Sequence, residues 1–193
     1  MSEFRVGLVG AGFIAETHAA VLRRQAGVRL VAVADPAIAR AQALAAAFGI
    51  PEAVTDAAAL AGKIDAAHVL VPPNLHRRVA EPLLRAGIHV LVEKPMAETP
   101  EDCAALQAAA ADGGAALHVN QNFPYHPAHA RLKSMVAANR IGPVRHVSLL
   151  YNMPLRQLDA GAGTRPRKKR RRRSGEIPVL TSGHLRRHAA LHE

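Results

Sequence analysis

Short apolar segments alternate with helical segments along the first two thirds of the chain. Near-continuous runs of apolar and β-branched residues predict five strands, at Phe4–Gly10, Val28–Ala34, Ala66–Val71, Ile88–Glu93 and Ala115–Asn120. Such runs are typical of parallel strands that are covered on both faces of a sheet. The pattern therefore predicts a sheet that is buried in the interior of the fold.

Helical segments fill the intervals between these strands. The sequence predicts four of them, at Phe13–Ala26, from Asp35 to Gly49, at Leu75–Ala86 and at Pro100–Ala111. The start of the fourth is well marked, because Thr99 offers a capping side chain and Pro100 suits the first helical turn. Strands separated by helices imply right-handed βαβ units, so we predict an α/β fold with a doubly wound parallel sheet.

Another helix and another strand follow this body. The pattern predicts a helix at Pro127–Asn139, a turn at Gly142-Pro143 and a strand at Val144–Tyr151. We interpret that strand as the opening of a second, α+β domain, which would present an unpaired apolar edge. The segment Arg165–Arg173 has no apolar period of either kind, so we expect only the beginning of this second domain.

Composition and charge narrow the class of protein. Hydrophobic residues make up 49% of the chain and charged residues 21%, as in globular proteins. No apolar run reaches the roughly 18 residues that span a bilayer, and the N-terminus lacks a signal-peptide layout, so no membrane partner is expected. The lone Cys103 cannot form an internal disulfide, which fits a cytoplasmic location. Residues 165–193 hold 10 basic and 2 acidic residues, so the net charge of +10 belongs mainly to this segment.

A glycine motif stands between the first strand and the first helix. In Gly10-Ala11-Gly12-Phe13-Ile14-Ala15, Gly10 permits the tight turn and Gly12 lets a pyrophosphate approach the backbone. Ala15 replaces the third glycine, and the helix N-terminus offers N–H groups to the phosphates. The strand–turn–helix context predicts a dinucleotide site, with contacts from Gly10, Gly12, Phe13 and Ile14. The alternative is a purely structural glycine turn.

An acid ends the second strand. Asp35 would accept hydrogen bonds from the ribose hydroxyls and repel a 2′-phosphate, which favours NAD over NADP. Its alternative role is to cap the helix that follows, and the two roles are compatible.

Two further motifs identify a family. They are Val71-Pro72-Pro73-Asn74-Leu75-His76 and, after Ala86-Gly87-Ile88, the strand-terminal Glu93-Lys94-Pro95. Together they resemble the Gfo/Idh/MocA oxidoreductases, and Asn122-Phe123-Pro124-Tyr125-His126-Pro127 resembles that family's next landmark. Pro124 departs from it, since arginine is common there. The resemblance covers about residues 4–160.

The resemblance implies a Rossmann fold and NAD-dependent hydride transfer at a carbinol carbon of a sugar or cyclitol. Lys94 would be catalytic, binding the reacting hydroxyl and helping its proton leave. Further cofactor contacts are expected from seven residues: Val71, Pro72, Asn74, His76, Glu93, Lys94 and Asn122. Asn74 would also cap its helix, and Glu93 would alternatively hold Lys94. For Lys94 the alternative is a surface lysine, and for His76 it is a packing histidine. His18, on the first helix, is expected to be a packing histidine.

The family pattern breaks off after about residue 162. We expect residues 1–124 to be the dinucleotide-binding domain, residues 125–162 a linking helix and first strand of a truncated substrate domain, and residues 163–193 a basic, disordered tail that reflects a frameshift or truncation. The family's acid–histidine pair is not recognisable, since Leu180 stands four residues before His184. No metal site is expected, because His184, His188 and His192 would bind metal only adventitiously.

Two alternative functions remain open at this point. One is a non-catalytic NAD-binding module. The other is nucleic-acid binding through Arg165–Arg173, which is disfavoured because no aromatic residue interleaves with the basic run. A homo-oligomer is possible for a full-length form.

Overall fold

The computed structural model describes residues 3–150, and the unit presented here lies within its first 143 residues. Six strands form one parallel sheet in the order β3-β2-β1-β4-β5-β6. Their bounds are Phe4–Val9 (β1), Val28–Ala34 (β2), Glu52–Val54 (β3), Ala66–Val69 (β4), His89–Val92 (β5) and Leu117–Val119 (β6). The predicted doubly wound α/β fold is confirmed, and the chain order reverses between β1 and β4.

Five helices accompany the sheet. They are Phe13–Leu22 (α1), Ile38–Phe48 (α2), His76–Arg85 (α3), Pro100–Gly113 (α4) and Pro127–Ala137 (α5), with short 3₁₀ turns at Ala57–Leu60, Pro73–Leu75 and Phe123–Tyr125. The start predicted for α4 is observed, because the Thr99 side chain accepts a hydrogen bond from the Asp102 N–H. The other helices are shorter than their predicted ranges by a few residues at one or both ends.

Alternating side chains on each strand divide the core into two layers. Val6 and Leu8 of β1 pack with Ala15 and Ala19 of α1 on one face of the sheet. Val9, on the opposite face, belongs to the layer formed with α3 and α4. This alternation follows from the twofold side-chain period of a strand. Apolar packing on both faces explains why the strands read as continuous apolar runs.

Two details of the sequence-based prediction need correction. The strand β3 was not predicted, because it has only three residues and includes Glu52. The strand predicted at Val144–Tyr151 is not formed over residues 144–150, which carry no regular secondary structure and belong to a separate unit. Since a strand needs a hydrogen-bonded neighbour, an apolar run alone does not make one. The basic run Arg165–Arg173 and the histidines at 184, 188 and 192 lie outside the described residues.

The helices α3 and α4 approach each other so closely that only glycine fits at one contact. A Cβ built on Gly113 would lie 1.9 Å from the carbonyl oxygen of Leu84. We therefore expect Gly113→Ala to force the two helices apart and to lower the free energy of unfolding by about 3 kcal/mol, as overpacking does. Chemical denaturation of both proteins measures this.

The matched control is Gly114→Ala. Gly114 has φ 63°, but nothing lies within 4 Å of its Cβ position. The control therefore has only the left-handed backbone cost, about 1 kcal/mol. Equal losses in the two variants would contradict the close contact between the helices.

Candidate functional site

The first strand-to-helix turn is built around Gly10. Its φ is +102°, and a Cβ placed there would lie 3.0 Å from the carbonyl carbon and oxygen of Leu70. The N–H of Gly10 donates to the carbonyl oxygen of Ala34, at the end of β2. The turn therefore lies tightly against the ends of both strands that neighbour β1.

Gly12 has a different role from Gly10. Its φ of −85° and ψ of −173° are open to any residue, and nothing lies within 4 Å of its Cβ position. It is the N-cap of α1, and no side chain caps this helix. The Ala15 N–H donates to the carbonyl oxygen of Gly12, so the N–H groups of Phe13 and Ile14 are the first-turn donors at the positive end of the helix dipole. Free space above such a helix end fits a phosphate group.

The Asp35 carboxylate connects the glycine turn to the segment that leads into α2. The side chain is 4% exposed, and its two oxygens accept hydrogen bonds from the N–H groups of Ala11 and Ala37, each at 2.8 Å. Arg40 donates to the same carboxylate at 2.8 Å. Burial raises the pKa of Asp35, but the hydrogen bonds from Ala11, Arg40 and Ala37 outweigh it and hold the pKa below its usual value. The group is therefore an anion at neutral pH.

A cavity of about 1260 Å³ runs along the carboxyl ends of the strands from this turn. Seven of the predicted cofactor residues line it: Gly10, Gly12, Phe13, Ile14, Asp35, Val71 and Pro72. Sequence reasoning missed other lining residues, among them Arg40, Thr55, Arg78 and Val79. Thr55 directly follows β3, and because β3 was not predicted from the sequence, Thr55 was not expected to line the cavity. The cavity is somewhat larger than common small-molecule pockets, and it has room for a dinucleotide.

The five other predicted residues do not line this cavity. His76 is fully buried, and its two ring nitrogens lie 2.8 Å from the carbonyl oxygen of Pro95 and 2.9 Å from that of Val71. It therefore ties the two motif-bearing loops together, and the expectation that it touches the cofactor directly is corrected. The packing alternative describes its position better.

Asn74 also differs from its expectation. It lies in the 3₁₀ turn Pro73–Leu75 and is exposed, and no side chain caps α3. The predicted helix cap is therefore wrong. Asn122 is likewise exposed, just before the 3₁₀ turn at Phe123–Tyr125.

Glu93 belongs to a group of four side chains that we call the buried polar network: His18, which is buried, and His68, Glu93 and Asn120, which are partly buried. One oxygen of Glu93 lies 3.1 Å from Nε2 of His18 and accepts a hydrogen bond from the Asn120 amide. Nδ1 of His18 lies 2.8 Å from Nδ1 of His68. His18, interpreted above as a packing histidine, is indeed buried, but it bonds to an acid at the end of β5.

Lys94 follows Glu93 and is exposed at the carboxyl end of β5. The backbone nitrogen of Lys94 lies 3.3 Å from Oε2 of Glu93, and the peptide bond between Lys94 and Pro95 is cis. Open α/β sheets bind their ligands at this edge. The Lys94 side chain is therefore accessible from the edge of the sheet where ligands bind.

The residues present fit a dinucleotide. Gly12 leaves space at an uncapped helix N-terminus, Asp35 presents an anion at the end of β2, and the cavity connects the two. Among residues 3–150, no group of three or more histidine, cysteine or acidic side chains is arranged to hold a metal. Within the same range, no helix is long and apolar enough to cross a bilayer.

Comparisons with known proteins agree with this geometry. The family model of NAD-binding Rossmann-fold oxidoreductases, Gfo/Idh/MocA, matches residues 4–121. The chain is 35% identical over 150 residues to inositol 2-dehydrogenase of Rhizobium meliloti, covering 78% of this chain and 46% of that protein. It therefore spans about half the length of such relatives.

Solved structures show the same likeness. A mutant 3-ketoreductase from Actinomadura kijaniata, in complex with TDP-benzene and NADP, has a TM-score of 0.69 at 32% identity over 75% of this chain and 45% of its own. The WlbA dehydrogenase from Bordetella pertussis, in complex with NADH and UDP-GlcNAcA, has a TM-score of 0.69 at 28% identity over 72% of this chain and 43% of its own. From the match over residues 4–121 and these relatives, the chain belongs to the Gfo/Idh/MocA family of NAD-binding oxidoreductases.

Proposed function

We propose that residues 1–124 bind NAD and serve hydride transfer between the nicotinamide and a carbinol carbon of a sugar or cyclitol. The observation that carries this proposal is the uncapped, unobstructed N-terminus of α1 at Gly12, opening into a cavity that reaches Asp35. Phosphates bind at such helix ends, and the adenosine ribose would reach the acid at the end of β2. Residues 125–162 would link this domain to a substrate domain.

The substrate class rests on the relatives. Inositol 2-dehydrogenase is named for a cyclitol, and 1,5-anhydro-D-fructose reductase of Ensifer adhaerens, 35% identical over 140 residues, is named for a sugar derivative. Because the chain spans 46% and 42% of these two proteins, the reaction of a whole protein is part of the proposal.

Lys94 is the proposed catalytic residue. A bound nicotinamide would supply the hydride acceptor or donor. The Lys94 ammonium would bind the oxygen of the reacting carbinol and stabilise the negative charge that develops there as the carbinol proton passes to water, to which this edge is open. Its position next to Glu93, at the carboxyl end of β5, supports this role.

Gly12→Asp tests the cofactor site. An N-cap aspartate stabilises a helix, so we expect the free energy of unfolding to stay equal or rise by up to about 1 kcal/mol. The same carboxylate would repel a pyrophosphate, so NAD affinity should fall at least about a hundredfold. Calorimetric titration and thermal denaturation measure the two effects.

The neutral Gly12→Asn variant separates size from charge, since asparagine caps helices as well as aspartate does. It should lose less affinity than Gly12→Asp. If Gly12→Asp binds NAD as tightly as the wild type, the dinucleotide site lies elsewhere and the glycine turn is purely structural.

Lys94→Ala tests the reaction. With NAD and a panel of cyclitols and sugars, we expect slow NADH formation by the wild type and loss to background in the variant, because a group that stabilises a developing negative charge contributes about 10²–10³-fold. NAD should still raise the melting temperature of Lys94→Ala. Arg140→Ala, on an exposed segment, serves as a control that keeps its activity.

Equal turnover in Lys94→Ala and the wild type would refute the catalytic assignment. Cofactor-dependent stabilisation without turnover on any polyol would support the alternative of a non-catalytic NAD-binding module. The second alternative, nucleic-acid binding through Arg165–Arg173, concerns residues outside the described range.

NAD rather than NADP is the proposed cofactor. The anionic Asp35 at the end of β2 supports it, since a 2′-phosphate there would meet a carboxylate. Arg40 partly offsets this charge, because it is bonded to Asp35 and its own side chain is 62% exposed. The relatives include complexes with NADP and with NADH.

We expect the wild type to bind NAD at least about tenfold more tightly than NADP. Arg40→Ala should widen that ratio about fivefold, because the 2′-phosphate loses its nearest cation while NAD loses little. Competitive titration measures both affinities, with Arg29→Ala, at the opposite end of β2, as the control. Tighter binding of NADP than NAD by the wild type would overturn the preference.

A further inference from the structure

The buried polar network has a fixed arrangement of protons. Because Glu93 accepts at Oε1, the Nε2 of His18 must carry a proton and donate. When His18 is neutral, its Nδ1 is then an acceptor, so the Nδ1–H of His68 donates across the 2.8 Å contact. The four side chains are therefore a connected hydrogen-bond chain from β4 to the end of β5.

This chain of hydrogen bonds has one site for an additional proton, which is His18. A second proton on His18 would make Nδ1 a donor to His68 and would pair the imidazolium with the Glu93 carboxylate. His68 stays neutral, because burial and the charge of His18 lower its pKa to about 4 despite the opposite effect of Glu93. Within the pair, His18 is therefore the site that can accept an additional proton while His68 stays neutral.

Other ionisable groups of the described residues lie near the network. His68 lines a small cavity of about 290 Å³ on the sheet face, together with His89 and His118. Nδ1 of His89 accepts a hydrogen bond from the Ala116 N–H. At the other end, the network is adjacent to Lys94, whose N–H contacts Glu93.

We propose that the buried polar network is a proton-responsive charge site that adjusts the preference of this domain between oxidised and reduced cofactor. The inference rests on the proposed function, since it requires the nicotinamide to bind at the carboxyl end of β5, beside Glu93 and Lys94. An oxidised nicotinamide ring carries a positive charge and a reduced ring carries none. The Glu93 carboxylate therefore favours the oxidised form.

Protonation of His18 removes this preference. The imidazolium neutralises the field of Glu93, so the oxidised ring loses its electrostatic attraction while the reduced ring is unaffected. By linkage, reduction of the bound cofactor favours proton uptake by the network. Low local dielectric makes the effect larger than for an exposed ion pair, since the His18 and Glu93 side chains are 8% and 15% exposed.

The ratio Kd(NAD⁺)/Kd(NADH), measured with the full chain against pH, tests the proposal. Protonation of remote histidines changes the affinities for NAD⁺ and NADH equally, because the two nucleotides carry the same phosphates. This effect therefore cancels in the ratio of the two dissociation constants. The chain contains no Trp, so NADH binding can be followed by the fluorescence of the nicotinamide itself, with NAD⁺ as the competitor. Between about pH 8 and about pH 6 we expect the ratio to rise about fivefold.

Two variants assign that change to the network. His18→Gln keeps a donor for Glu93 but takes up no proton, so its ratio should remain at the wild-type value of about pH 8. Glu93→Gln removes the carboxylate, so its ratio should already be raised about fivefold at about pH 8. His118→Gln, an exposed histidine on the same sheet face, should behave as the wild type.

A ratio independent of pH in the wild type would overturn the proposal, and so would an equal rise in His18→Gln. In either case the proposed function would stand, because both nucleotides would still bind. Failure of both nucleotides to bind at any pH would instead overturn the proposed function, and the inference with it.

Discussion

The carboxylate of Asp35 is the contact on which the cofactor edge of this domain depends. It receives the backbone N–H of Ala11 from the glycine turn and that of Ala37 from the entry to α2, while Arg40 covers it from outside. A buried charge without such donors would be strongly destabilising. The hydrogen bonds that stabilise the Asp35 carboxylate therefore also hold both turns in position. The positions of Gly12 and of the free helix N-terminus follow from this constraint.

Hydrogen-bonded polar side chains also hold the other half of this edge, at the loops after β4 and β5. His76 holds the loops after β4 and β5 together through two carbonyl oxygens, and Glu93 is held by His18 and Asn120. Polar side chains with few alternative partners adopt one arrangement, and packed networks rigidify a site. Lys94 is thus carried on a segment whose neighbours on both sides are anchored, although its own side chain is exposed.

Local patterns predicted the parts of the fold that depend on neighbouring residues. The glycine turn, the acid after β2 and the start of α4 are defined by short stretches of sequence, and the structure has them at the predicted residues. The short β3 forms because it pairs with β2, and no strand forms at residues 144–150. Both outcomes depend on pairing between segments that are separated in the sequence. The buried polar network could not be predicted for the same reason, because His18 and Asn120 are 102 residues apart. Its one sequence signal is His68, a polar residue inside an otherwise apolar strand.

Cofactor binding and chemistry make unequal demands on this chain. The adenosine and pyrophosphate half of the proposed site is lined by residues from β1, β2 and α3. Lys94 and Asn122, at the reacting end, are open to water. Hydride transfer benefits from exclusion of water, whereas phosphate recognition at a helix end tolerates it. The proposed phosphate site can therefore operate in contact with water, whereas the proposed chemistry at Lys94 would benefit from exclusion of water.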